Sequence, residues 1–94
     1  MKIVEIVWLY DIEEKCLNKH GVTAEEVEQV IRGKPRFNFV EKGIREGEDV
    51  YVARGRTRSG RRLMVFFIHK RGGKALILSA RPMTHRERRR YEEK

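Results

Sequence analysis

Cysteine and proline are scarce in this sequence, with one cysteine, Cys16, and two prolines among 94 residues. A lone cysteine excludes an intrachain disulfide, and no second cysteine or histidine stands at metal-ligand spacing from it, so Cys16 reads as a packed thiol. Long apolar runs are missing as well. The longest, Leu63 to Ile68, is far shorter than the roughly 20 residues a membrane-spanning helix needs. The first residues do not form the basic-then-apolar pattern of a secretory signal, so a cytoplasmic protein without a membrane partner is expected. No HExxH-type spacing, carboxylate cluster or Gly-rich phosphate loop ahead of a helix occurs, and neither a metal nor a cofactor is expected. Internal repeats and low-complexity segments are also absent.

Charge is abundant and unevenly placed. Residues 1–53 hold eight Lys and Arg against eleven Asp and Glu, whereas residues 54–94 hold fourteen against three. The overall +8 therefore conceals an acidic first half and a strongly basic second half. In that second half arginine outnumbers lysine eleven to three. A planar guanidinium offers paired donors to phosphate oxygens and stacks on bases, which favours a nucleic acid over a generic small anion. A chain of this length sustains one hydrophobic core, so residues 1–94 are expected to form a single domain.

Patterning suggests an α+β protein. Ile3 to Leu9 reads as a first strand. Asp11 with Glu14 has capping-box spacing, and Ile12, Cys16 and His20 fall four apart along a helix that Gly21 stops. Thr23 with Glu26 repeats the signature ahead of Val27, Val30 and Ile31, and Gly33 ends that second helix. Phe37 and Phe39 alternate with Arg36 and Asn38 as in a strand with one buried face, and a Gly-containing loop runs from Glu41 to Asp49. Val50–Arg56, Arg62–His69 and Lys74–Ala80 then read as an antiparallel meander. Its middle run is apolar on both faces and belongs at the sheet centre. Thr84 with Glu87 opens a short C-terminal helix through Glu92. The expected architecture is a small antiparallel sheet of about four strands with two N-terminal helices and one short C-terminal helix.

Whether the arginines converge depends on one turn, because a one-residue shift in register sends every side chain to the opposite face. A two-residue Ser59-Gly60 loop puts Gly55 and Met64 on the face of Arg81, with Arg54 and Arg56 on the other. A three-residue Arg58-Ser59-Gly60 loop, with Gly60 left-handed, puts Arg54, Arg56 and Arg81 together. The second register is preferred, since Ser-Gly is a weaker two-residue turn than Asn-Gly.

Three segments in order, Lys19-His20-Gly21-Val22, Gly55-Arg56-Thr57-Arg58-Ser59-Gly60-Arg61, and Ser79-Ala80-Arg81 with Thr84, Glu87-Arg88, Tyr91 and Glu92, resemble the BrnT family of toxins from bacterial type II toxin–antitoxin systems. The likeness spans nearly the whole chain without a large gap. It implies a RelE-like fold, endoribonuclease activity without a metal, and an antitoxin partner, BrnA-like and of ribbon-helix-helix type, whose complex with the toxin binds operator DNA. The chain departs from the family pattern where Leu9 follows Trp8, where Cys16 replaces a common asparagine, and where His69-Lys70-Arg71 replaces Thr-Glu-Arg. If that glutamate acts as a base in relatives, Lys70 cannot inherit the role.

Metal-free RNA cleavage needs a base for the 2′-hydroxyl proton, cations for the pentacoordinate phosphate, and an acid for the leaving 5′-oxygen. Arg81, ending an apolar strand, is the leading candidate for phosphate, with Arg56 beside it. His69 and His85 are candidates for proton transfer because an imidazole titrates near neutrality. Arg54, Arg86, Arg90 and Lys70 are candidates for RNA binding. His20 reads as structural, Tyr91 as a residue docking the last helix, and Arg88 and Arg89 as solvated partners of Glu92 and Glu93. A non-catalytic RNA-binding module, or a co-repressor subunit of an antitoxin complex, is the alternative reading.

Overall fold

The computed structural model describes residues 1–93 and is α+β. In chain order the elements are β1 (Glu5–Val7), α1 (Tyr10–His20), α2 (Ala24–Arg32), β2 (Arg36–Glu41), β3 (Val50–Arg56), β4 (Arg62–Lys70), β5 (Lys74–Pro82) and α3 (His85–Glu92). The sheet runs β1-β5-β4-β3-β2, so it has five strands where about four were expected. The run Ile3–Leu9 supplies its edge strand β1, which pairs parallel to β5 through Glu5, Ile6 and Val7 while the other pairings are antiparallel. It is shorter than the apolar run Ile3–Leu9 because Leu9 already serves as the N-cap of α1. No helix among the described residues is long and apolar enough to cross a membrane.

Alternation along each strand sorts the side chains onto two unlike faces. One carries Ala53, Leu63, Val65, Phe67, Ala75, Ile77 and Ala80, which bury against Cys16 of α1 and Val27, Val30 and Ile31 of α2. Burial pushes the Cys16 thiol above its ordinary range, as suits a packed, unreactive side chain. The opposite face carries a smaller cluster, Val52, Met64 and Met83, against which Phe66 and Tyr91 pack. Strand β4, apolar towards both sides, lies at the centre of the order as its pattern required.

Two of the three expected capping boxes form. Thr23 and Glu26 close the start of α2, and Thr84 and Glu87 close the start of α3, each hydroxyl accepting from the glutamate N–H at 3.1 Å. The Asp11–Glu14 box does not form. Helix α1 begins two residues earlier, at Tyr10, and its N-cap Leu9 has no side-chain acceptor, so Asp11 and Glu13 act only as favourable charges in the first turn. Both capping glutamates are also gripped from the sheet. Arg61 Nη1 donates to the two Glu26 oxygens at 2.9 and 3.0 Å, and Arg81 holds Glu87 in the same manner. An arginine at a strand end thereby fixes where each helix starts.

Arg61 also explains the Lys19-His20-Gly21-Val22 segment. Its guanidinium donates to the carbonyls of Gly21 and His20 at 2.8 and 3.2 Å, which needs the chain to turn sharply after α1. Gly21 makes that turn with φ of 62°, so that its own N–H and that of Val22 reach back to the carbonyls of Leu17 and Cys16. Gly21→Ala leaves the space unclashed, the nearest atom to a new Cβ being Arg61 Nη2 at 4.0 Å, but forces a left-handed conformation. Urea denaturation of this variant should show a loss of about 1 kcal/mol.

Candidate nucleic-acid interface

The β3–β4 hairpin decides where the arginines point. Its register pairs Arg54 with Met64 and Arg56 with Arg62, leaving a three-residue loop of Arg58, Ser59 and Gly60 in which Gly60 has φ of 91°. Met64 is in turn opposite Arg81. Direct partners across an antiparallel ladder share a face, so Arg54, Arg56 and Arg81 lie together on the side that carries α3. Strand β2 adds Arg36 directly opposite Arg54.

Two arginines face to face are destabilising unless each turns to an acceptor. Arg54 Nε donates to Asn38 Oδ1 at 3.0 Å. Arg36 Nη1 donates to the Glu93 carbonyl at 3.1 Å, with its guanidinium 5.3 Å from the centre of the Tyr91 ring. These contacts, with the packing of Tyr91 on the sheet, seat the C-terminal end of α3 over β2 and β3. Tyr91 is a docking residue, as expected.

Between α3 and β3 runs a depression of about 550 Å³ lined by Asn38, Val52, Arg54, Arg90 and Glu93. It adjoins a second, of about 510 Å³, lined by Arg86, Arg89, Arg90 and Glu93. Because Arg90 and Glu93 border both, the two form one groove in which, among the described residues, four arginines face a single carboxylate. Arg54, Arg86 and Arg90, chosen from the sequence, meet here. Arg89 and Glu93 had been read as solvated, and Arg36 was seen only as the polar phase of a strand. Its Arg36-Asn38 alternation marked the exposed face, but nothing local placed that face beside β3.

Other candidates stand elsewhere. Arg81, the leading choice for phosphate, is occupied: Nη1 and Nη2 donate to the two Glu87 oxygens at 2.7 and 2.9 Å, and Nη1 also reaches the Pro82 carbonyl at 3.2 Å. The Arg81 hydrogen bonds, aided by the Thr84 N–H, hold the Glu87 carboxyl down at about 2, and Glu87 raises Arg81 above its own ordinary value. Arg81 thus positions α3 from beneath.

His69 lies on the opposite face, with Phe67 and Ala75, edge-on to Tyr51 at 6.2 Å, and its Nε2 is buried without a hydrogen-bond partner among the described residues. Lys70 pairs with Glu48 at 3.3 Å. Both sit at the far end of β4, about 17 Å from Met64 at the strand rise per residue. Neither reaches the groove. His85 is exposed in the first turn of α3, and Arg56 faces the hairpin flank of that helix. Among the described residues no three His, Cys, Asp or Glu side chains gather where they could hold a metal ion.

Residues 8–87 match the family described as the ribonuclease toxin, BrnT, of type II toxin–antitoxin systems. No curated protein matches the sequence. Among solved structures, the crystal structure of the Brucella abortus ribonuclease toxin BrnT aligns with 87% of this chain and 99% of its own, with a TM-score of 0.61 and 17% identity. At that identity the likeness bears on the fold.

Proposed function

From the premise that the chain belongs to the BrnT family of ribonuclease toxins of type II toxin–antitoxin systems, we propose that it is a metal-independent endoribonuclease whose groove between α3 and β3 binds the RNA backbone. The observation that carries this reading is the concentration of Arg54, Arg86, Arg89 and Arg90 around one groove, with Glu93 the one carboxylate lining it among the described residues. Uncompensated guanidinium charge in a concave surface attracts a polyanion and releases its counterions.

In this mechanism Glu93, the carboxylate bordering the groove, takes the 2′-hydroxyl proton. The freed oxygen attacks the adjacent phosphorus, and Arg54 and Arg90 stabilise the charge that builds on the pentacoordinate phosphate. The P–O5′ bond then breaks and solvent protonates the leaving oxygen, so the products carry a 2′,3′-cyclic phosphate and a 5′-hydroxyl. His85 lies about a helix length, roughly 12 Å, from Glu93 and is assigned with Arg86 to holding the strand rather than to proton transfer. His69 and Lys70 have no part, and Arg81 acts through α3.

The partner is a cognate antitoxin, BrnA-like and of ribbon-helix-helix type, that silences the toxin and carries it to operator DNA in the cytoplasm. An acidic segment of such a partner would compete with RNA for the same arginines. The test is incubation of purified protein with RNA in excess EDTA. Fragments with cyclic phosphate and 5′-hydroxyl ends, suppressed by adding the antitoxin, are the expected result. Intact RNA with salt-sensitive binding would instead identify a non-catalytic RNA-binding module.

A further inference from the structure

A second cationic depression, of about 360 Å³, lies on the other flank of α3, against the β3–β4 hairpin. Lys34, Arg56, Arg58 and Tyr91 line it, with Thr57 and Gly60. Its position follows from a missing side chain. A Cβ on Gly55 would meet Val30 Cγ1 at 3.1 Å and Pro35 Cβ at 3.3 Å, so glycine lets the α2–β2 turn lie close to β3, with Lys34 beside Arg56, without pushing those neighbours aside. The hairpin is held stiffly. Thr57 is buried, its hydroxyl accepts from the Arg61 N–H at 3.1 Å and pairs with Ser59 Oγ at 3.0 Å, and the Arg58 N–H donates to Gln29 Oε1 at 2.9 Å.

Four arginines of the surrounding strands and of α2 are engaged: Arg32 by Glu28, Arg61 by Glu26, Arg62 by Glu92 and Arg81 by Glu87. The side chains of Lys34, Arg56 and Arg58 have no carboxylate partner among the described residues. Three free cations on a rigid frame are organised in advance for an anion. Among the described residues the lining carries three cations and no carboxylate, so charge is the property it recognises, and Tyr91 offers an aromatic edge beside them.

Resting on the RNA reading above, we propose that Lys34, Arg56 and Arg58 form a second phosphate subsite, which holds a phosphodiester of the bound RNA outside the groove of Arg54 and Arg90. The strand then passes the C-terminal end of α3 and is held on both of its flanks.

The experiment measures affinity for a 2′-O-methyl RNA oligonucleotide, which lacks the attacking hydroxyl, by fluorescence anisotropy across a series of KCl concentrations. Lys34→Ala and Arg58→Ala, both at exposed positions outside the proposed reaction, should each flatten the slope of log affinity against log salt by about 0.7, and the double variant by about 1.4. Arg71→Ala, in the β4–β5 turn at the far end of the sheet, should leave the slope unchanged. Salt-dependent binding by the unaltered protein with no change in the Lys34 and Arg58 variants overturns the subsite and leaves the RNA reading standing. No binding by the unaltered protein overturns both. Competition by oligoglutamate as effective as RNA of equal charge would reassign the depression to an acidic polypeptide and likewise overturn the proposal.

Discussion

Arg90→Ala is expected to slow RNA cleavage by about a hundredfold or more, the usual consequence of removing one donor aimed at charge that develops in a transition state. Arg90 borders both halves of the groove and is exposed, so its removal should leave folding intact. Arg54→Ala should have a similar effect, since among the described residues its side chain gives up one hydrogen bond, to the exposed Asn38. Initial rates in EDTA, with kcat separated from KM, provide the check. A loss confined to KM would mean that these arginines only hold the strand. Rates within about threefold of the unaltered protein would remove the groove from the mechanism.

The second large effect concerns Arg81. Arg81→Ala should lower stability by about 2 kcal/mol near neutral pH, less than the full shift of Glu87 implies, because about a quarter of the Glu87 side chain remains exposed. The sign of the pH dependence is set by Glu87, whose carboxyl is held at about 2 in the folded chain against an ordinary 4.5. A group depressed in this way contributes stability that is fully present above the ordinary value and is lost as the pH falls through the folded one. The unaltered protein should therefore weaken between about pH 4.5 and 2, and the part of that loss due to Glu87 should shrink in Arg81→Ala to what the Thr84 hydrogen bonds alone supply. Urea unfolding at several pH values measures it. Cleavage should fall as well, through displacement of α3. An Arg81→Ala protein that is as stable as its parent but inactive would return Arg81 to the role of direct phosphate ligand.

The two arginine clamps share a cause. Each capping glutamate, Glu26 or Glu87, already accepts a backbone N–H from its own N-cap, and its oxygens also receive a guanidinium from the end of a strand. One carboxylate thus ends a helix and fastens that helix to the sheet. In α3, which buries no residue completely, this clamp acts with the docking of Tyr91, the Arg62–Glu92 ion pair and the bond from Arg36 to the Glu93 carbonyl to attach the helix. The placement of Arg86, Arg89 and Arg90 depends on them.

Much of this was legible locally. The Thr23–Glu26 and Thr84–Glu87 boxes are patterns over three residues, whereas the β3–β4 turn allowed two registers, and the left-handed Gly60 of the structure picks the three-residue loop from which strand alternation places Arg54, Arg56 and Arg81 on one face. The same alternation separates His69 from Met64, five residues apart on β4, so the failure of His69 to join the arginines could have been read from the sequence. The false start at Asp11 shows the limit of a short motif. Spacing alone offered a box, but the chain entering from β1 made Leu9 the N-cap instead.

What the sequence by itself determined is therefore the inventory: α+β elements, a basic second half rich in arginine, and the family to which its segments are similar. Only the tertiary structure decided that Arg36 faces Arg54, that Arg81 is taken by Glu87, and that Glu93 borders the groove. The physical reason is range. Capping and turn geometry are settled among residues a few positions apart. The contact of Arg36 with Glu93, 57 residues away, depends on the order in which strands assemble and on many weak contacts made at once, none of which leaves a local pattern.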